Sequence, residues 1–315
     1  MLVAGAAAIA ATLGVARIGD VRAEVPVAPA PIAAAPVPVV GIDAARALLP
    51  TAAARCADVP CLLAAAYARD PAAAALAAGL FADTGDVAGV GPHELMNGGY
   101  RGMITLVPQL PTGTYRAHLG WTAAALRSYD GFVADLFAGQ PTQPAYRWRA
   151  LELRFVRSIK KRTPSAYAIG WLVEYNVAGS LNTSAARVAE TLWHEIFHTN
   201  DAAHSDWSMR VLATDYDAIV AKCGTRVKCL VPYAPNHTKV RGGTYYAFQP
   251  NNGDAVREYA AELAVRYWTE QRAMLATGAL AAPAFKCGPV ENARAWQAIV
   301  TEFFAGRDLT PPCAS

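Results

Sequence analysis

The chain has 315 residues, 54% hydrophobic and 17% charged, with a net charge of +3. That balance is ordinary for a globular protein with one large core or two small ones. It excludes a nucleic-acid partner, which needs a concentrated basic face; the one basic triplet, Lys160-Lys161-Arg162, reads as a solvated loop.

Residues 2–16, "LVAGAAAIAATLGVA", are apolar and match the length of a signal h-region. "VRA" at 21–23 predicts cleavage after Ala23, so 1–23 reads as a signal peptide and the mature chain as secreted or periplasmic. The apolar run is short of the about 20 residues of a membrane span, so no stable insertion is expected. Residues 24–41 are Pro/Ala-rich and read as an extended linker.

Residues 42–100 read as a helical, Ala-rich N-terminal region, interrupted by the loop between Cys56 and Cys61 and ending in turn-rich sequence at 89–102. "MITLVPQL" (103–110) alternates as a strand does, and 121–139 carries helical spacing that stops at Gly139. The stretches 150–159 and 165–179 are β-rich and read as strands. A helix follows, with Asn182 or Thr183 as its cap and Val188, Leu192 and Ile196 on one apolar face. Two further helices are predicted over 254–277 and 289–306.

The six cysteines fall as Cys56/Cys61, Cys223/Cys229 and Cys287/Cys313. An even count fits an oxidising compartment, and local bridges are the simplest of the 15 connectivities that six cysteines allow. No C-x-x-C spacing suggests a structural zinc site.

The chemistry concentrates in "LWHEIFHTNDAAHSDW" (192–207). His194 and His198 lie one helical turn apart and present two imidazoles to one point. Glu195 is turned aside by about 100°, where it reaches water at that point rather than joining the ligands. His93, His118 and His237 are isolated and read as structural or solvated.

This H-E-x-x-H helix, preceded by strands, resembles the zincin metallopeptidases over roughly residues 100–275. The resemblance implies an α+β zincin-like domain (101–315) with a small mixed sheet, an active-site helix, a backing helix over 121–137 and an edge strand in 166–177 along the cleft. It also implies a zinc ion, with Glu195 as general base.

Two residues compete as third ligand. His204 completes H-E-x-x-H-x-x-D-x-x-H, close to the metzincin pattern, but Asp201 stands where that family has a helix-breaking glycine. On an unbroken helix His204 lies about 240° round and about 9 Å along from His198. The alternative is "REYAAEL", which resembles the second ligand helix of gluzincins of the anthrax-lethal-factor type. That resemblance makes Glu258 the third ligand, Glu262 the support of a histidine ligand, and Tyr245 or Tyr246 the oxyanion donor. Asp201 then becomes a hydrogen-bond acceptor for an imidazole one turn back.

The expected function is therefore a secreted zinc metallopeptidase holding a peptide extended along the edge strand. A secreted binding protein with a structural zinc site, or a zinc hydrolase of cell-wall amides, are the alternatives.

Overall fold

The computed structural model describes residues 39–98, 101–147, 149–240, 243–250 and 255–314. The expected signal peptide, most of the linker and Asp254 at the expected helix start lie outside them.

Among the described residues three helices come first: α1 (Ile42–Leu48), α2 (Val59–Ala66) and α3 (Pro71–Thr84). The second and third begin at aspartate caps. Asp58 accepts the Cys61 N–H at 2.8 Å and Asp70 accepts the Ala73 N–H at 3.1 Å, each with a proline in the first turn. α3 stops at Gly85, whose φ of 72° is left-handed and suits glycine.

Helix then gives way to sheet where the sequence reads as turns, with β1 (Val87–Val90) and β2 (Glu94–Asn97). Strand pairing overrides that weak local preference, because β2 pairs antiparallel with β3 (Met103–Pro108) and β1 pairs parallel with β4 (Glu152–Ser158). The region 42–100 is thus helical only as far as Thr84.

The run 165–179 also departs from the single strand expected. It is a hairpin of β5 (Ala166–Ile169) and β6 (Leu172–Asn176), turned at Gly170 with φ 57°. The sheet is six-stranded and mixed, in the order β2-β3-β4-β6-β5, with β1 beside β3 along the same side of β4. β5 is antiparallel to β6 and ends the sheet.

Seven further helices follow β3: α4 (Arg116–Leu136), α5 (Ala185–Ala203), α6 (Trp207–Val211), α7 (Ala213–Cys223), α8 (Val227–Leu230), α9 (Ala255–Thr277) and α10 (Val290–Phe303). α4 starts at residue 116 rather than 121. The cap of α5 is Ser184, not Asn182 or Thr183: its extended backbone lets its side chain accept the Arg187 N–H. Asn182 is engaged elsewhere, donating from Nδ2 to the carbonyls of Ser165 and Asn176.

One face of the sheet, with Leu153, Phe155, Val173 and Tyr175, joins α4, α5 and α9 in the main core. Trp193 is central to it. It stacks on Trp268 of α9 at 5.5 Å and on Tyr146 at 4.7 Å, and its Nε1 donates to the Ala264 carbonyl at 2.9 Å. Those contacts fix how α5 and α9 lie together; truncating such a side chain costs about 3–5 kcal/mol. The other face keeps a smaller apolar cluster of Ile104, Leu106 and Val156. The fold is therefore α+β with a mixed sheet.

All six cysteines are bridged locally, Cys56–Cys61, Cys223–Cys229 and Cys287–Cys313. No helix among the described residues is long and apolar enough to cross a membrane.

Candidate metal centre

α5 presents His194 and His198 on one stripe, their rings 4.8 Å apart and edge to face. α9 meets them with its first turn, which carries Glu258. His194 Nε2 lies 3.0 Å from Glu258 Oε2 and 3.1 Å from His198 Nε2; the third edge, from His198 Nε2 to Glu258, is 3.7 Å. A tetrahedral ion with bonds of about 2.05 Å separates its ligand atoms by about 3.3 Å, so the three donors fit a small divalent cation. Two imidazole nitrogens and a carboxylate oxygen, brought to one point by two helices, could hold such an ion. Among the described residues they are the only cluster of this kind.

Burial by itself would depress the His194 imidazolium, but Glu258 and Glu262 outweigh it and hold it well above its ordinary value. Burial would likewise raise Glu258; the two imidazoles outweigh it and keep the carboxyl well below the usual range. The three groups are thus strongly coupled, and the charge of a cation would replace the shared proton. Glu262, one turn beyond Glu258, sits with Oε1 3.2 Å from His194 Nδ1. That contact leaves Nε2 facing the centre.

Glu195 is 7% exposed and takes no hydrogen bond from any described residue. Burial pushes its carboxyl up, and the neighbouring His194 and His198 only partly offset this. A carboxylate of raised basicity beside a ligand cluster suits proton transfer.

The remaining candidates separate cleanly. Tyr246 lines the cleft, its ring 5.8 Å from that of His194. Tyr245 is buried against His237 and Lys239 and points elsewhere. His204 does not reach the centre: its Nδ1 lies 2.7 Å from Glu302 and its ring packs on Phe303. α5 runs unbroken to Ala203, so the helical period carries His204 away. Asp201 takes no imidazole. Its two oxygens accept the Ser208 N–H at 2.7 Å and the Ser208 hydroxyl at 2.6 Å, fastening the turn after α5. His118 pairs with the Tyr175 hydroxyl at 2.9 Å in the sheet core.

Two cavities open onto the centre. One, of about 330 Å³, is bordered by Ala166, Tyr167, Ala168 and Gly170 of the edge hairpin and by His198, Asp206, Arg257 and Glu258. The other, of about 390 Å³, lies toward Thr163–Ala166, Thr191, Lys239 and Val265. Both include His194, Glu195, Tyr246 and Ala166, so they form one cleft crossing the centre.

Asp206, which the sequence offers with Asp201 and His204 as a cleft residue, pairs at 3.1 Å with Arg257, whose part in the cleft the sequence does not reveal. The pair ties the turn after α5 to the first turn of α9. The adjacency of Arg257 to Glu258 was the available signal. Compared with known proteins, the chain matches no family model, no curated protein and no solved structure.

Proposed function

We propose that this chain is an exported zinc endopeptidase with His194, His198 and Glu258 as ligands and Glu195 as general base. The observation that carries the reading is the position of Glu195. A buried, basic carboxylate stands beside a three-donor cluster, in a cleft open on both sides. The nitrogen-rich donor set suits zinc.

When bound, zinc supplies a Lewis acid that polarises a scissile carbonyl and acidifies water. Glu195 accepts the proton of the attacking water and returns it to the leaving amine. Tyr246 donates from its hydroxyl to the developing oxyanion. Glu262 holds the His194 ring in orientation through Nδ1. β5 is the last strand of the sheet, so its outer edge offers backbone groups to an extended peptide.

Two further observations support the reading. His204 is bound to Glu302, which leaves three protein donors and room for a reactant, unlike a closed structural site. The three disulfides suit an oxidising compartment. The test is Glu195→Gln: zinc content should stay at the parent level while turnover of a peptide library falls by about 10²–10⁴-fold. Parent-level peptidase activity in that variant overturns the assignment.

A further inference from the structure

The two halves of the cleft differ in charge. In the half bordered by the edge hairpin, Arg257 is paired with Asp206, and Glu258 belongs to the ligand cluster. The other half has a rim of cations drawn from distant parts of the chain. Arg101, Arg187 and Lys239, all exposed, line it. The basic triplet adjoins it: Lys161 Nζ donates to the Arg101 carbonyl at 2.8 Å, and Arg101 Nη1 donates to Thr163 Oγ1 in the cavity wall at 2.6 Å. Arg162 is turned aside, its Nε donating to the Ala178 carbonyl at 3.4 Å.

The carboxylates in this half are few and engaged. Glu190 is paired with Arg187 at 3.0 Å, Glu262 with His194, and Glu195 lies at the centre itself. Lys239 has the Tyr245 ring 5.7 Å away rather than an acid. Three cations thus stand with three carboxylates in this half, whereas the half bordered by the edge hairpin has Arg257 against four carboxylates, Glu195, Asp201, Asp206 and Glu258, so an anionic segment meets less repulsion here. Buried Thr191 and Val265 and half-buried Val240 also line it, and suit a short aliphatic stem.

We propose that this half of the cleft takes an acidic segment of a polypeptide substrate, with aspartate or glutamate on that side of the scissile bond. The inference rests on the peptidase reading for the bond that breaks. A polypeptide is favoured over other polyanions because Ala166 of the edge strand borders both halves, so one extended backbone can run past it through the whole cleft.

Binding of labelled 12-residue peptides to the full-length Glu195→Gln variant, loaded with zinc, tests this without turnover. The peptides differ only in carrying Glu, Gln or Lys in one half. The Glu peptide should bind about ten-fold tighter than the Gln peptide at low salt, and the advantage should shrink at about 0.5 M salt. It should disappear in Lys161→Glu/Lys239→Glu; Lys239→Gln, milder for folding, should show a partial loss. Equal binding of the Glu and Gln peptides overturns the proposal. So does a non-peptide polyanion such as heparin binding more tightly than the Glu peptide and losing that affinity in the same double variant. The two readings fail separately. Wild-type cleavage without acidic preference sinks only the charge inference, whereas tight binding of the Glu peptide that the wild type never cleaves sinks only the peptidase reading.

Discussion

His194 Nδ1 and Glu262 Oε1 stand 3.2 Å apart, while the other nitrogen of the same ring faces Glu258 at 3.0 Å. One helix therefore supplies both a candidate ligand and the support of its neighbour. Glu258 and Glu262 are one turn apart on α9, so the pair is a consequence of helical period. Glu262→Gln should keep the fold and weaken zinc binding by about 10–100-fold in a competition titration with a chelator. Unchanged affinity would show that the Nδ1 contact orients nothing.

The two adjacent tyrosines should behave differently. Tyr246→Phe removes a hydroxyl from the cleft and should lower kcat by about 10²-fold with little change in KM. Tyr245→Phe lies in the buried layer behind it and should leave kcat near the parent value. Steady-state kinetics on both variants decides this; equal losses would remove Tyr246 from the oxyanion role.

Asp308 predicts how the fold responds to acid. It accepts from Lys286 Nζ at 2.8 Å and from Gln271 Nε2 and Trp296 Nε1 at 2.9 Å each. Burial alone would raise its carboxyl, but Lys286 foremost, then the Thr310 hydroxyl, Trp296 and the Thr310 N–H, outweigh burial and hold it below the usual range. Its folded pKa is below the unfolded value, so its stabilisation is complete above about pH 4 and lost as pH falls through the folded value. Asp308→Asn should destabilise by about 1–3 kcal/mol at neutral pH. Urea unfolding from pH 7 to pH 3 should show that gap narrowing below about pH 4. A gap of constant size contradicts the assignment.

What the sequence makes legible follows from period. His194, Glu195 and His198 are readable as a stripe and its neighbour, and Glu258 with Glu262 as a second pair, because helix geometry is local. The strand at 103–108 is readable from alternation and that at 152–158 from β-rich composition, while the α+β class comes with the resemblance. The hairpin at Gly170 is not, since both of its arms are β-rich and a single left-handed glycine divides them. Nor is the partner of His204, because Glu302 is 98 residues away and meets it only through the packing of α10. The basic rim is hidden for the same reason: Arg101, Lys161, Arg187 and Lys239 are scattered along the chain and converge only on folding. The triplet at 160–162 is the exposed loop its sequence suggests, and Lys161 joins the cleft's surroundings only through its hydrogen bond to the Arg101 carbonyl.

The central claim is that α5 and α9 together, and not the 192–207 stretch alone, hold the metal. Zinc content and affinity of the purified full-length protein, compared across the parent, Glu258→Ala and His204→Ala, test it most directly. The account predicts one tightly held zinc per chain in the parent and in His204→Ala, and its loss in Glu258→Ala with the helical circular dichroism signal retained. Zinc lost from His204→Ala and kept by Glu258→Ala would contradict it.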